Sequence, residues 1–127
     1  MIAMVGISVD FDDDIERILR IHARLAEVAQ FVRANLDQKI NIAQLAELAH
    51  LSLSQLKRTF KAVLNMSPLQ FVQKLRLEYA VKLLAMPEVS VTKISLSCGY
   101  SDHSAFSRQF KQFTGLSPSQ FRQMHLS

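Results

Sequence analysis

Ten polar and basic side chains fall into two groups at helical spacing, one in each half of the chain. They are Ser54, Gln55, Lys57, Arg58 and Lys61 in the first group, and His103, Ser104, Ser107, Arg108 and Lys111 in the second. No acidic residue interrupts either group. Arginine can donate two hydrogen bonds to guanine, glutamine can pair with adenine, and lysine can contact a phosphate. Two such faces could bind a polyanion such as double-stranded DNA.

Each group alternates with apolar residues at the spacing of a helix that buries one face. These residues are Leu56, Phe60 and Val63 in the first segment, and Phe106, Phe110 and Phe113 in the second. A period near 3.6 residues predicts two amphipathic helices. All six apolar side chains are predicted to face a core, and the ten polar ones to face outward.

Residues with capping chemistry mark the ends of these two helices. Ser52 and Gln55 have the spacing of a capping box, in which each side chain satisfies the other's free backbone donor. Asp102 or Ser101 is expected to open the second helix. Asn65 and Gly115 are expected to end the two helices in a left-handed conformation.

A short helix precedes each amphipathic helix. Asn41 is expected to cap residues 42–49, and Ser90 to cap residues 91–97. His50 then forms a tight turn in the first half of the chain. Gly99 supplies the turn in the second half, where a positive φ or a close helix approach is expected.

The two halves repeat each other with an offset of about 50 residues. Matching residues include Leu56 with Phe106, Arg58 with Arg108, Phe60 with Phe110, Lys61 with Lys111, and Ser67-Pro68 with Ser117-Pro118. Short helix, turn and second helix together are typical of the helix-turn-helix motif. A solenoid is disfavoured because it needs about three or more copies. A long helix over 68–86 would also separate the two copies.

The remaining segments complete an all-α domain of about seven helices. Residues 15–36 carry a helical stripe that drifts near His22–Ala23, so a break into two helices is possible there. Ser117-Pro118 opens a last helix, expected to run through Gln123. We assign 1–14 to a tail or linker remnant and 15–127 to one domain. Within it, the two helix-turn-helix units cover about 41–64 and 90–114.

The overall charge supports a polyanionic partner. The chain has 127 residues, a net charge of +4 and a pI of about 9.5. Five of its acidic residues lie before Arg17, and from Arg17 onward there are 15 basic and 6 acidic residues, which gives 15 − 6 = +9. A charge of this size favours nucleic acid, although an ordinary basic surface is the plainer alternative.

Other classes of function find little support in the sequence. Cys98 is the only cysteine, so an intrachain disulfide is excluded, and a buried thiol is expected. His22, His50 and His125 are too scattered for a metal site. No glycine-rich phosphate loop, carboxylate pair or nucleophile–base pair points to an enzyme or a cofactor. No apolar run is long enough to cross a membrane.

The repeated segments resemble the DNA-binding domain of the AraC/XylS family of transcription regulators. The resemblance covers about residues 26–123 and rests on IxxLAELAHLSLSQLKRTFK from Ile42 and IxxxCGYSDHSAFSRQFKxxxGLSPxQFR over 94–122. Ser95 stands where the family usually has alanine. Ser54 occupies a reading position that can hold a larger residue, which predicts a small contribution.

The resemblance implies a bacterial, cytoplasmic transcription regulator whose two recognition helices read adjacent major grooves. By position, the reading residues would be Ser54, Gln55, Lys57 and Arg58, then His103, Ser104, Ser107 and Arg108. Lys61 and Lys111 are expected to contact phosphates. We also expect RNA polymerase as a partner, as for an activator, and a monomeric domain that an N-terminal domain outside this chain could dimerise.

Alternatives stay open at this point. Arg58 and Arg108 could form surface ion pairs, and His103 could merely begin its helix. Asp102 fits a cap better than a base contact. A helical protein-interaction module that has lost DNA binding is the alternative function.

Overall fold

Seven α-helices make up the part of the chain that the computed structural model describes, residues 11–126, with side chains from Glu16 onward except that of Ile18. They are α1 (Phe11–Ala34), α2 (Ile42–Leu48), α3 (Leu53–Leu64), α4 (Pro68–Leu84), α5 (Val91–Ser97), α6 (His103–Thr114) and α7 (Pro118–Leu126). No strand occurs within these residues. The predicted all-α fold with two helix-turn-helix units is confirmed.

Helix α1 is continuous over 24 residues, so the break considered near His22–Ala23 is absent. No glycine or proline interrupts the segment, and alanine, leucine, glutamate and arginine all favour a helix. The drift of the apolar stripe has another cause. Leu25 and later apolar residues enter the core, whereas Leu19 is 62% exposed. Residues 11–14, assigned to the tail, lie in α1, and residues 1–10 lie outside the described residues.

The predicted N-terminal caps form as expected. Asn41 caps α2 and Ser52 caps α3, each as part of a capping box. Ser90 accepts a hydrogen bond from the Lys93 amide at the start of α5. Asp102, rather than Ser101, caps α6. Each cap satisfies backbone donors that have no partner inside the helix.

The helix ends also follow local chemistry. Asn65 and Gly115 adopt the left-handed conformation after α3 and α6. Ser67 forms a third capping box at the start of α4. Helix α4 ends at Leu84, two residues before the predicted end, and α7 continues to Leu126 rather than Gln123.

Helix α4 holds the fold together because its two ends belong to different cores. Val72 and Leu75 are buried in a first cluster with Leu56 and Phe60, which also includes the inner face of α1. The second cluster takes its α4 residues from the other end of the helix. Its members are Leu77, Ala80, Leu84, Ile94, Cys98, Tyr100, Phe106 and Phe110. Each helix-turn-helix unit thus packs on its own half of α4.

Two of the six side chains predicted to face the core do not reach it. Val63 is 38% exposed and Phe113 is 43% exposed. Both occupy the last turn of their helix, beyond the fully buried Phe60 and Phe110. Helical spacing gives the face on which a residue lies, but not how far along the helix the core extends.

Candidate nucleic-acid interface

The two predicted recognition helices present matching faces. Helices α3 and α6 both have 12 residues, and their buried residues are Leu56 and Phe60 in α3, and Phe106 and Phe110 in α6. The ten predicted site residues lie on the remaining faces. All are exposed except Ser107, which is half-buried. The structure therefore places the ten side chains in two sets, one on each helix.

The cations of these two faces form no ion pair with any residue whose side chain is described. Within residues 16–126, no carboxylate lies within 4.0 Å of a charged nitrogen on Lys57, Arg58, Lys61, Arg108 or Lys111. An ion pair found among the described residues, Arg20 with Glu16 at 3.7 Å, lies on α1, away from both faces. The ion-pair alternative for Arg58 and Arg108 is thus disfavoured, and these cations can contact an external anion without first breaking an internal pair.

Gln55, predicted to contact a base, also takes part in the capping box of α3. The side-chain Oε1 of Gln55 accepts a hydrogen bond of 2.9 Å from the backbone N–H of Ser52. The backbone N–H of Gln55 donates in return to Ser52 Oγ at 3.1 Å. A bidentate contact with adenine needs both the Oε1 and the Nε2 of glutamine. The capping box therefore competes with adenine for Oε1, while Nε2 stays available as a donor.

The start of α6 is arranged differently. Asp102 Oδ1 accepts a hydrogen bond of 2.9 Å from the Ser104 amide, which is the capping role predicted for it. One turn further on, Ser107 Oγ lies 3.4 Å from His103 Nε2. His103, Ser104 and Ser107 therefore form a polar cluster of short side chains. Arg108 lies beside this cluster and has the longest hydrogen-bond-donating side chain on the face.

Two residues of the turn before α6, Cys98 and Tyr100, are buried, as predicted for a core rather than a reactive site. Tyr100 donates a hydrogen bond of 2.6 Å to Gln109 Oε1, and its ring lies 5.2 Å from that of Phe106. Burial raises the pKa of the Cys98 thiol to about 12, and the Arg76 charge opposes this shift. Cys98 is therefore a protonated thiol near neutral pH and a poor nucleophile.

Metal and membrane sites are not found in the described part of the chain. Among the side chains described over residues 16–126, no three from His, Cys, Asp or Glu are grouped closely enough to hold a metal ion. None of the helices there combines the length and the apolar character required to span a bilayer.

Two arginines that support the interface were missed by the sequence reasoning. Arg76 donates a hydrogen bond of 2.8 Å to the Gln38 carbonyl, and Arg122 donates to the carbonyls of Leu84 and Met86 at 3.1 and 3.0 Å. Arg76 thus binds the segment after α1, which precedes the first unit. Arg122 binds the end of α4, which precedes the second unit. For Arg76 the only signal in the sequence is its position between the core residues Leu75 and Leu77, which does not reveal its partner.

Comparison with known proteins identifies this arrangement. Residues 45–124, more than half of the chain, match a family described as a helix-turn-helix domain. A transcriptional regulator with an AraC-type DNA-binding domain from Chromobacterium violaceum has a similar fold. Its TM-score is 0.75 at 29% identity, over 80% of this chain and 90% of that one. This chain belongs to the AraC/XylS family of transcription regulators.

Further known proteins show the same relation to this chain. The DNA-binding domain of AdpA, solved in complex with a target DNA, has a TM-score of 0.74 at 27% identity, over 80% of this chain and 92% of that one. The transcriptional regulator ArgR of Pseudomonas aeruginosa is 33% identical over 101 residues. That match covers 80% of this chain but 31% of ArgR, and a match to LumQ of Photobacterium leiognathi, 29% identical, covers 86% of this chain and 43% of LumQ. The chain thus spans less than half the length of ArgR and of LumQ.

The family resolves the choice between the two functions considered from the sequence. Membership and a DNA-bound structural neighbour support a DNA-binding transcription regulator over an interaction module.

Proposed function

We propose that this AraC/XylS-type domain binds double-stranded DNA by placing α3 and α6 in adjacent major grooves. The observation that carries the proposal is the pair of 12-residue helices, each with a buried apolar face and an exposed face. The cations of these exposed faces have no carboxylate partner within the part of the chain whose side chains are described. A major groove admits one α-helix. Two helices on one chain replace the two subunits of a dimeric repressor, and different side chains on them allow a non-palindromic site.

Within this proposal the arginines carry most of the sequence discrimination. Arg58 and Arg108 are exposed and have no carboxylate partner among the described side chains. Each can donate two hydrogen bonds to one guanine, and such a bidentate contact contributes about 1–3 kcal/mol of discrimination. Lys57 and the cluster of His103, Ser104 and Ser107 contact neighbouring base edges. Gln55 contributes a single donor as long as its capping box is intact, and Ser54 allows close approach.

The phosphate contacts fall to the lysines nearer the helix ends. Lys61 is in the last turn of α3 and Lys111 in that of α6. Lysine acts as a point charge towards phosphate, so these contacts position the domain without reading sequence.

The wider role is that of a cytoplasmic regulator that contacts RNA polymerase at its promoters rather than catalysing a reaction. The relatives are transcriptional regulators, and the buried free thiol of Cys98 suits a reducing compartment. The DNA-binding domain itself acts as a monomer.

Selection of bound sequences from random duplexes tests the DNA-binding proposal. The selected sites are expected to contain two enriched blocks about 10–10.5 base pairs apart, and a footprint should cover both grooves on one face of the duplex. A single enriched block, or protection of one groove alone, would contradict the use of both helices. No enrichment at all would remove sequence-specific binding.

A further inference from the structure

One arginine lies where the two cores of the domain meet. Arg76 is on α4 between Leu75, which belongs to the first core cluster, and Leu77, which belongs to the second. Its Nη2 donates to the Gln38 carbonyl at 2.8 Å, in the segment that joins α1 to α2. Its Nε is buried and has no hydrogen-bond partner among the described residues. Arg76 is thus attached to the first unit from a position at the boundary with the second.

The turn of the second unit closes on the other side of the same arginine. Gly99 has a φ of +85°, and a Cβ added to it would lie 3.0 Å from both Cζ and Nε of Arg76. The same Cβ would overlap the Leu36 carbonyl oxygen. The positive charge of Arg76 also reaches this turn, because it lowers the otherwise raised pKa values of Cys98 and Tyr100. The segment that follows α1, the arginine and the second turn therefore form one three-way contact, which we name the Arg76 junction.

The Arg76 junction adds a lateral brace to the connection through α4. A single helix of 17 residues is about 25 Å long and can bend. Contact between the segment after α1 and the turn before α6 restrains that bending. Inserting one base pair between two half-sites moves the second groove by about 3.4 Å and turns it by about 34°. A braced pair of recognition helices accepts one spacing, whereas an unbraced pair accepts several.

We propose that Arg76 is a specificity-determining positioning residue that braces the second unit against the first and thereby sets the half-site spacing the domain accepts. The inference rests on the proposed use of both recognition helices, and its test begins with the duplex selected by the wild-type protein. Probes are that duplex and two versions with one base pair inserted or deleted between its blocks.

The wild-type protein is expected to lose at least about tenfold in affinity for each altered probe, and Arg76→Met less than about threefold. The variant also binds the parent duplex more weakly, because its second helix is no longer held in place. Arg76→Lys keeps one donor for the Gln38 carbonyl, so its spacing penalty should lie between the other two. If Arg76→Met does not fold, the affinities of Arg76→Lys for the three probes provide the test instead.

Arg122→Met is the matched control. Arg122 braces the carbonyls of Leu84 and Met86, which lie in or directly after α4, so its loss should weaken the second unit and leave the spacing penalty unchanged. The proposal would be overturned if the folded Arg76 variants lost as much affinity for the altered probes as the wild-type protein does. It would also be overturned if Arg122→Met became as tolerant of altered spacing as Arg76→Met. If the wild-type protein selects no two-block site, the use of both grooves has failed, which is a different result from an unchanged penalty in the variants.

Discussion

The two helix-turn-helix units share a frame and differ at the turn between their helices. Each has a seven-residue helix followed by a twelve-residue helix. The turn has positive φ at His50 in the first unit and at Gly99 in the second. His50 is exposed, whereas Gly99 is pressed against the Leu36 carbonyl and Arg76. One motif therefore tolerates a side chain where its turn faces solvent, and requires glycine where the turn meets a neighbouring segment.

The cores show a second difference built on a common pair. Phe60 and Phe71 form an edge-on contact with ring centroids 5.3 Å apart, and Phe110 and Phe121 repeat it at 5.5 Å. In the second unit the contact continues through Phe106 to Tyr100, at 5.8 and 5.2 Å. The first unit has Leu56 and Leu51 at those positions. The second unit thus depends more heavily on aromatic packing.

The largest expected effect concerns the turn glycine. Gly99→Val should lower the free energy of unfolding by about 3 kcal/mol or more, because left-handed strain adds to a clash with the Leu36 carbonyl. Gly115→Val is the control, since Gly115 has a similar φ of +88° but nothing within 4 Å of an added Cβ. It should lose only the strain, about 1–2 kcal/mol. Urea unfolding measures both, and equal losses would show that the close contact at Gly99 carries no energy.

The aromatic contrast predicts a smaller difference. Phe110 makes ring contacts with both Phe106 and Phe121, whereas the ring contact found for Phe60 is with Phe71. Phe110→Leu should therefore cost about 0.5–1.5 kcal/mol more than Phe60→Leu, which is the contribution of one aromatic pair. Thermal and urea unfolding of the two variants provide the comparison. A larger loss for Phe60→Leu would reverse the proposed difference between the cores.

Alkaline pH should act on the second unit first. Burial raises the pKa of Cys98 from 9.0 and that of Tyr100 from 10.0, each to about 12, while Ala49 and Leu51 at the matching positions do not ionise. Because both pKa values are higher in the folded state than in the unfolded state, rising pH ionises these groups first in the unfolded chain. Their contribution to the free energy of unfolding is therefore fully present below about pH 9 and is lost as the pH rises towards 12.

Cys98→Ala isolates the thiol's share of this loss. Urea unfolding at about pH 8 and about pH 10.5 should show a smaller alkaline loss in the variant than in the wild-type protein. All other residues are the same in the two proteins, so their contributions to the alkaline loss cancel. Parallel losses would mean that the ionisation of Cys98 is not linked to folding.

The smallest expected effects belong to the phosphate contacts. Lys61→Ala and Lys111→Ala should each weaken binding to all duplexes and reduce the dependence of log Kd on log salt by about one unit. Gel-shift titrations over a salt series measure the slope. An unchanged slope with affinity lost only for certain sequences would instead make the lysine a base-reading residue.

Much of the local structure could be predicted because it depends on residues close in sequence. Ser52, Ser67 and Asn65 act through hydrogen bonds within four residues, so their types and spacing were sufficient to place helix ends. The face of α3 and α6 on which each site residue lies follows from helical periodicity in the same way.

The rest depends on contacts between distant segments. The exposure of Val63 and Phe113 depends on where the neighbouring helices stop. The Arg76 junction joins Gln38 to Gly99, and no periodicity relates residues so far apart in the chain. For Gln55 the capping and reading roles were both visible in the sequence. Their competition for one oxygen became clear only from the hydrogen bond to Ser52.

The most direct test of the account compares the specificity of Arg58→Ala with that of Arg108→Ala. Each variant is expected to lose about 1–3 kcal/mol of discrimination at one base pair, and the two positions should lie about 10–10.5 base pairs apart. Selection of bound sites from random duplexes with both variants measures this, and Arg108→Ala should also weaken footprint protection mainly at one end. If both variants relax the same base pair, or Arg108→Ala changes none, the two helices do not read separate grooves.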